Sequence, residues 1–195
     1  KVIISIFFYL TSLLTFIMIG PAFIILSFLL PIKSMYKLSR IVSWVMLFSM
    51  GVWVKIEGEN PDKENYIYMF NHASFIDVFL FGYAMKGPCA AIIAAENYQY
   101  PIWGTMLKRY RAISINRRDK QSAIASINTA EQVINDGFDV IILPEGTRTL
   151  SGNLNRFKKG GFHMAYNTNT SIIPVGCIGA FEFKPKNRWT LSPRK

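Results

Sequence analysis

An imidazole and a carboxylate occur five residues apart in the segment Asn71–Asp77, which follows a short apolar run typical of a strand. On one continuous helix the two side chains would be about 140° apart and could not meet. If His72 lies in a turn and Ser74 caps the next helix, Asp77 is its third residue and can face the imidazole. This geometry would orient the ring to take a proton from a hydroxyl, as a general base. Ser74 and Asp77 also fit a plain capping box without chemistry.

Two more polar segments follow predicted strands. In Leu143–Arg148, Glu145 offers an acceptor and Arg148 a forked donor, while Gly146 lets the backbone approach a ligand. The segment Ile115–Arg118 ends in adjacent arginines. A surface ion pair and solvated charges are the ordinary explanations of these two segments. However, ligands of open α/β sheets bind at the carboxyl ends of strands, and three polar segments at such ends favour a site.

The elements that would position these residues alternate along the chain after residue 55. Five short apolar runs are predicted as strands: Tyr66–Phe70, Ala91–Ala95, Ala112–Asn116, Val140–Leu143 and Ile172–Ile178. Three segments are predicted as helices: Phe75–Met85, Gln121–Asp136 and Lys159–Asn167. Strands that alternate with helices predict an α/β domain over residues 55–195, with a mostly parallel central sheet flanked by helices.

Residues 1–54 have a different composition and are predicted to be an apolar helical membrane anchor. The 31 residues of Val2–Ile32 carry no charge, and about 20 suffice to cross a bilayer. Gly20-Pro21 is expected to split this run, and a basic stretch separates it from a second apolar run, Ile41–Val54. We expect a two-helix hairpin that enters or crosses one leaflet. A single tilted span followed by an interfacial helix is the alternative. A signal peptide would have a shorter apolar region and a cleavage site.

The net charge of +10 is compatible with nucleic acid, an anionic membrane or an anionic small substrate as partner. No zinc-finger spacing or RNA-binding signature is present, so nucleic acid is not expected. Anionic membrane lipid fits a basic domain next to an apolar anchor. The two histidines and two well-separated cysteines cannot build a His-rich or Cys-rich metal site. A Gly-x-Ser-x-Gly nucleophile segment is also absent, so no covalent intermediate on a serine is expected.

Four motifs in order resemble the glycerolipid acyltransferase family, whose best-known member is 1-acylglycerol-3-phosphate acyltransferase. They are Asn71-His72-x4-Asp77, Ile115-Asn116-Arg117, Pro144-Glu145-Gly146-Thr147-Arg148 with Phe157-Lys158-Lys159-Gly160 after it, and Ile173-Pro174-Val175. The resemblance covers roughly residues 55–180. Each motif alone is weak, whereas four in this order are specific.

The resemblance implies transfer of a fatty acyl group from acyl-CoA or acyl carrier protein to the free hydroxyl of a lysophospholipid. The expected acceptor is 1-acylglycerol-3-phosphate, which would give phosphatidic acid, and no cofactor is expected beyond the thioester co-substrate. His72 would be the general base and Asp77 its partner. The residues expected to bind the acceptor are Arg117, Glu145, Gly146, Thr147, Arg148 and Lys158. The protein would be membrane-anchored, with its catalytic domain on the cytoplasmic face.

Other functions remain open at this point. The acceptor could be a lyso-ornithine lipid or lysophosphatidylglycerol, or it could be water in a lysophospholipase or thioesterase. A non-catalytic lipid-binding protein is a further alternative.

The sequence departs from the family by carrying Ala94 where relatives often have a lysine, so one phosphate contact is missing. The segment Trp189–Pro193 resembles the approach to a further strand, which suggests a domain clipped at its carboxyl end.

Overall fold

A computed structural model describes residues 1–58, 65–116 and 119–193 of the chain. The α-helices of this part are α1 (Val2–Leu29), α2 (Ile32–Ser49), α3 (Asp77–Ala84), α4 (Pro101–Arg109), α5 (Lys120–Asn135), α6 (Gly160–Asn167) and α7 (Ala180–Phe183). The strands are β1 (Ile67–Phe70), β2 (Cys89–Ala94), β3 (Ile113–Ile115), β4 (Asp139–Ile142) and β5 (Ile172–Val175). A 3₁₀ helix spans Ala95–Gln99.

The described strands form one sheet with the order β3-β2-β4-β1-β5, and each pairing is parallel. Ile67 of β1 lies opposite Val140 of β4 on one side and Ile172 of β5 on the other. The predicted α/β class with a mostly parallel sheet is therefore confirmed. Since β1 and β4 are neighbours, the loops that leave their carboxyl ends start side by side.

Alternating side chains of β1 face two different cores. Ile67 and Met69 are buried on the side that carries α5 and α6. Tyr68 and Phe70 are buried on the opposite side, where they pack with Phe81 of α3. This period of two is what a strand covered on both faces requires. The sheet is thus a middle layer between two layers of helices.

Helix α1 runs through Pro21 without a break, so the predicted split at Gly20-Pro21 is wrong. A proline inside a helix costs about 3 kcal/mol. Ending the helix there would leave two additional sets of unpaired backbone groups in an apolar segment, which costs more. The break lies at Leu30 instead, which is extended and precedes Pro31, because the residue before a proline disfavours helical angles.

Helix α2 begins at Ile32, so the predicted basic connection is wrong as well. Lys33, Lys37 and Arg40 lie within this helix rather than between two helices. The Arg40 guanidinium donates from Nε to the carbonyl oxygen of Tyr83 in α3 at 3.0 Å. Part of the basic stretch therefore attaches α2 to the α/β domain.

Helices α1 and α2 form the predicted hairpin. Thr11 Oγ1, near the start of α1, donates to the carbonyl oxygen of Ser49, at the end of α2, at 2.7 Å. The chain turns away at Gly51, whose φ of +73° favours glycine, and a Cβ at this position would collide with the Phe8 ring. The predicted apolar helix through Val54 is therefore wrong beyond Ser49.

The two helices of the hairpin have different surroundings. Among the described residues, α1 is the helix that is long and apolar enough to cross a membrane, with a mean hydropathy of 2.5. Its 28 residues are about 42 Å long, against about 30 Å of bilayer hydrocarbon. Helix α2 instead buries Met46 and Leu47 in a cluster with Ile76 and Phe183. The membrane anchor over residues 1–54 stays a prediction, and α2 also packs into the domain.

Candidate active site

Two loops meet at the carboxyl ends of β1 and β4. Strand β1 ends at Phe70 and leads into His72, while β4 ends at Ile142 and leads into the segment 143–148. The backbone N–H of His72 donates to Oε1 of Glu145 at 2.7 Å, so the two loops are in direct contact. The third segment of the predicted site contains Arg117, which lies outside the described residues.

His72 and Asp77 form the predicted pair. Nδ1 of His72 lies 2.7 Å from Oδ2 of Asp77. The His72 side chain is 24% exposed, whereas the Asp77 side chain is only 2% exposed. The carboxylate is thus buried beside a partly exposed ring.

The backbone around His72 and Asp77 differs from the prediction. Helix α3 begins at Asp77, not at a Ser74 cap. Oδ2 of Asp77 also accepts the backbone N–H groups of Ala73 at 2.9 Å and Ser74 at 3.0 Å. The hydroxyl of Ser74 donates to the carbonyl oxygen of Lys184 at 2.7 Å. Asp77 therefore closes the turn itself, because its carboxylate oxygen makes three hydrogen bonds at once.

Glu145 holds the backbone of His72 from the β4 side. Besides its contact with His72, the Glu145 carboxylate accepts the backbone N–H of Asn155 through Oε2 at 2.8 Å. The residue is 2% exposed. Thr149 adds a second tie, because its backbone N–H donates to the carbonyl oxygen of His72 at 2.9 Å. A direct contact of Glu145 with the acceptor stays a prediction, since both carboxylate oxygens are engaged within the protein.

The other predicted acceptor-binding residues surround this core. Gly146 has a φ of +72°, which favours glycine, and its N–H donates to the carbonyl oxygen of Leu143. Arg148 is half-buried, and Thr147 is exposed. Lys158 is exposed and lines, together with Gly146, an open cleft of about 580 Å³ beside α6. Arg148 thus directly precedes Thr149, whose N–H donates to the carbonyl oxygen of His72, and Lys158 lines the cleft with Gly146.

Residues 51–178 match the model of the family described as Acyltransferase. The chain belongs to this family. Two similar proteins are both named 1-acyl-sn-glycerol-3-phosphate acyltransferase. The protein from Cocos nucifera is 32% identical over 155 residues, which cover 79% of this chain and 49% of the relative. The protein from Borreliella burgdorferi is 34% identical over 145 residues, which cover 73% and 58%. The acyltransferase chain thus spans about half the length of these relatives.

A solved structure shares the fold of this acyltransferase-family chain. It is the 1-acyl-sn-glycerophosphate acyltransferase PlsC from Thermotoga maritima, with a TM-score of 0.79 and 23% sequence identity. The match covers 98% of this chain and 79% of that chain. The fold class predicted from alternating strands and helices therefore agrees with a known acyltransferase fold.

Asn71 fixes the start of the turn that carries His72 in this acyltransferase-family chain. Its side-chain amide donates from Nδ2 to the carbonyl oxygen of Cys177 at 3.1 Å and accepts the N–H of Cys177 through Oδ1 at 2.6 Å. Burial raises the pKa of the Cys177 thiol to about 12, and the charge of Asp77 adds to the rise. The thiol is therefore protonated at neutral pH and is a poor nucleophile. Burial likewise raises the pKa of Cys89 to about 12.

Potential metal ligands do not cluster in the part of the chain that the structure describes. No three His, Cys, Asp or Glu side chains of these residues come close enough to hold an ion. The ionisable pair at His72 and Asp77 is held by hydrogen bonds to the backbone instead.

An apolar cavity of about 250 Å³ lies beside α3. Its walls include Phe23 of α1, Val42 of α2, Phe81 of α3, Ile93 of β2 and Trp103 of α4. Apolar side chains from four helices and the sheet thus enclose space close to the helix that starts at Asp77. Such a cavity suits a hydrocarbon group.

Several residues that shape the site carry no signal in the sequence. Thr149 and Asn155 act through backbone N–H groups, which every residue but proline has. Lys184 contributes its carbonyl oxygen to Ser74 from more than 100 positions away. Asn71 is the exception among the residues that shape the site, because it lies immediately before His72 and belongs to the motif Asn71-His72-x4-Asp77.

Proposed function

We propose that this chain transfers a fatty acyl group from a thioester to the free hydroxyl of a lysophospholipid. The observation that carries the proposal is the His72–Asp77 pair, with Nδ1 and Oδ2 2.7 Å apart at the carboxyl edge of the sheet. Relatives of the chain are named 1-acyl-sn-glycerol-3-phosphate acyltransferases. We therefore propose 1-acylglycerol-3-phosphate as the acceptor and phosphatidic acid as the product.

In the proposed mechanism, the Asp77 carboxylate accepts a hydrogen bond from the Nδ1–H of His72, which leaves the lone pair of Nε2 for the acceptor hydroxyl. Nε2 takes the hydroxyl proton as the oxygen attacks the thioester carbonyl carbon. The carbon–sulfur bond of the tetrahedral intermediate then breaks, and the imidazolium returns the proton to the leaving thiolate. Asp77 stabilises the imidazolium between these steps. General-base assistance of this kind contributes about 10²–10⁴-fold.

The oxyanion of the intermediate needs donors other than the first backbone N–H groups of the turn. Ala73 and Ser74 lie closest to His72 in sequence, but both donate to Asp77. These two N–H groups are therefore not proposed as oxyanion donors. The hydrogen-bond donors that stabilise the oxyanion would come from other groups around the turn of His72.

We propose that the phosphate of the acceptor binds on the β4 side of His72. Arg148 is one residue before Thr149, whose N–H donates to the His72 carbonyl oxygen. A guanidinium donates two parallel hydrogen bonds to phosphate oxygens. Arg117 is proposed as a second donor from its place after β3, and Gly146, Thr147 and Lys158 as further contacts.

The hydrocarbon parts of the substrates would lie in apolar surroundings. We propose that the cavity of about 250 Å³ beside α3 holds an acyl chain. Helix α1 would hold the protein in the membrane that contains the acceptor, with the basic domain on the anionic cytoplasmic face. The proposed acyl donor is acyl-CoA or acyl carrier protein.

A direct test supplies the purified chain in lipid vesicles with radiolabelled acyl-CoA and a panel of lysolipid acceptors. We expect label in phosphatidic acid when 1-acylglycerol-3-phosphate is present. Label in another diacyl lipid would correct the acceptor, for example to a lyso-ornithine lipid or lysophosphatidylglycerol. Label in free fatty acid alone would contradict acyl transfer and identify a thioesterase.

A further inference from the structure

Three cationic residues lie on segments that meet at the turn of His72: Arg148 in the loop after β4, and Lys184 and Arg188 after α7. Partial burial lowers the pKa of Lys184, and the charges of Arg148 and Arg188 lower it further. The ion pairs among the described residues join Lys55 to Glu57, His72 to Asp77, and Arg111 to Asp136. None of these ion pairs neutralises the cluster. Repulsion between like charges is relieved when an anion binds among them.

Two backbone contacts place this cluster next to His72. The carbonyl oxygen of Lys184 accepts the hydroxyl of Ser74, two residues after His72, at 2.7 Å. Arg148 precedes Thr149, whose N–H donates to the carbonyl oxygen of His72 at 2.9 Å. Lys184 and Arg148 therefore approach the same turn from the segment after α7 and from the β4 loop.

Arg188 and Lys184 were not among the predicted site residues, and they differ in how their N–H donors are used. Arg188 donates to the carbonyl oxygens of Glu182, Phe183 and Thr190. Its N–H donors therefore stabilise the segment 182–190 itself. The ammonium of Lys184 has one hydrogen bond among the described residues, to the carbonyl oxygen of Pro185 at 3.0 Å. An ammonium group can donate three hydrogen bonds. Lys184 is therefore the cation with donors to offer to a ligand.

We infer that Lys184, together with Arg148, binds the phosphate monoester of the acceptor. The segment that contains Lys184 lies outside the four motifs of the resemblance, so no motif points to it. The inference rests on the proposed function, because it names a ligand-binding residue of the same site.

The first test compares Lys184→Met with Lys186→Met in the full chain. Lys186 is an exposed lysine two positions away, so it controls for the loss of one positive charge in the same segment. We expect Lys184→Met to raise KM for 1-acylglycerol-3-phosphate about 10- to 100-fold, the range for one charge-assisted hydrogen bond. The kcat should change little. Lys184→Arg should recover part of the loss, and Lys186→Met should behave as wild type.

A monoacylglycerol acceptor separates phosphate binding from a structural effect. Because this acceptor has no phosphate, Lys184→Met should leave its KM unchanged. The Ser74 contact uses the Lys184 carbonyl oxygen, and the substitution retains it. Equal losses with both acceptors, or identical behaviour of the Lys184→Met and Lys186→Met variants, would overturn the inference.

The second test does not depend on acyl transfer. Acetic anhydride modifies lysine amines at pH 8, and peptide mass spectrometry can follow Lys184 and Lys186 separately. Inorganic phosphate should slow the modification of Lys184 several-fold, leave Lys186 unaffected, and lose its effect in the Arg148→Gln variant. Failure of phosphate to protect Lys184 in a protein that acylates 1-acylglycerol-3-phosphate would refute the inference and leave the proposed function intact. Protection of Lys184 without transfer to any acceptor would support the anion site and refute the proposed function.

Discussion

At the scale of single residues, His72 is held at three points. Its N–H donates to Glu145, its carbonyl oxygen accepts from Thr149, and its Nδ1 faces Asp77. The first two contacts come from the loop after β4, and the third comes from the start of α3. The imidazole is thus positioned by two elements together, which restricts the ring without using its Nε2.

The catalytic pair can be tested with His72→Ala and Asp77→Asn. We expect each change to lower kcat at least about 10²-fold, because the first removes the base and the second no longer stabilises the imidazolium. Acyl transfer to 1-acylglycerol-3-phosphate measures the effect, and circular dichroism checks the fold. Asp136→Asn, at an exposed ion pair with Arg111, is the control with wild-type turnover. Near-normal turnover of folded His72→Ala would contradict the mechanism.

Glu145 and Arg148 belong to one sequence motif, but their substitutions are predicted to have different effects. Glu145→Gln places an amide N–H₂ opposite one of two buried N–H donors, at His72 or Asn155. We expect it to cost about 1–3 kcal/mol of stability and to lower kcat with little change in KM. Arg148→Gln should raise the acceptor KM about 10- to 100-fold, with a normal Tm.

The comparison of these two variants also tests the role that the family resemblance gives to Glu145. Thermal unfolding and acceptor kinetics on both proteins are sufficient. A raised acceptor KM in Glu145→Gln, with unchanged Tm and kcat, would show a direct contact with the substrate. It would contradict the positioning role that burial of this carboxylate indicates.

The sequence could predict the pair at His72 and Asp77 because both side chains carry the chemistry themselves. The same reasoning placed Ser74 as a helix cap, whereas its hydroxyl bonds to Lys184. That contact joins residues 110 positions apart, and no local pattern encodes it. Local reasoning therefore finds the reacting groups but not the distant backbone groups that hold them.

At the scale of elements, α3 connects the candidate site to the packing of the hairpin. The helix begins at Asp77 and lies against α2, where a Cβ on Gly82 would collide with the hydroxyl of Ser43. The absence of a side chain at Gly82 thus permits close contact between α2 and α3. A change in this contact would therefore also affect the helix that begins at Asp77, the proposed partner of the base.

This contact predicts a pair of compensating substitutions. Gly82→Ala should destabilise the protein by about 1–3 kcal/mol through overpacking, which lowers Tm by roughly 2–4 °C per kcal/mol for a chain of this size. Adding Ser43→Ala removes the colliding hydroxyl and should restore much of the loss. Gly160→Ala, where a Cβ has open space, is the control with little change. Additive losses in the double variant would contradict the proposed contact.

The elements also show where sequence patterns suffice and where they fail. The predicted strand at Tyr66–Phe70 is present at Ile67–Phe70, because a short apolar run in a buried sheet is a local signal. The predicted strand Ile172–Ile178 ends at Val175, where pairing with β1 ends. Helix α4 was not predicted, since its nine residues mix apolar and basic side chains after a proline. Its place is set by tertiary contacts, including the Arg109 bond to the carbonyl oxygen of Leu30.

At the scale of the whole molecule, two forces could hold the protein on a membrane. The net charge of +10 attracts anionic lipid by about 1 kcal/mol for each Lys or Arg near the surface. Helix α1 contains 18 Leu, Ile, Phe and Val residues, each worth about 0.3–0.6 kcal/mol on insertion. Only part of the charge can face one surface, whereas most of α1 is exposed on the protein and available to lipid.

These two forces respond differently to salt, and this difference gives the last prediction. Screening reaches about 10 Å at 0.1 M salt but only about 3 Å at 1 M, while apolar burial is not weakened by sodium chloride. The full chain should therefore stay with sedimented vesicles of phosphatidylcholine and phosphatidylglycerol at both concentrations, and with phosphatidylcholine vesicles alone. Release from the mixed vesicles at 1 M salt would show that the basic surface holds the protein. In that case α1 would not be inserted, because an inserted helix of this composition would retain about 5–10 kcal/mol of apolar stabilisation that salt does not remove.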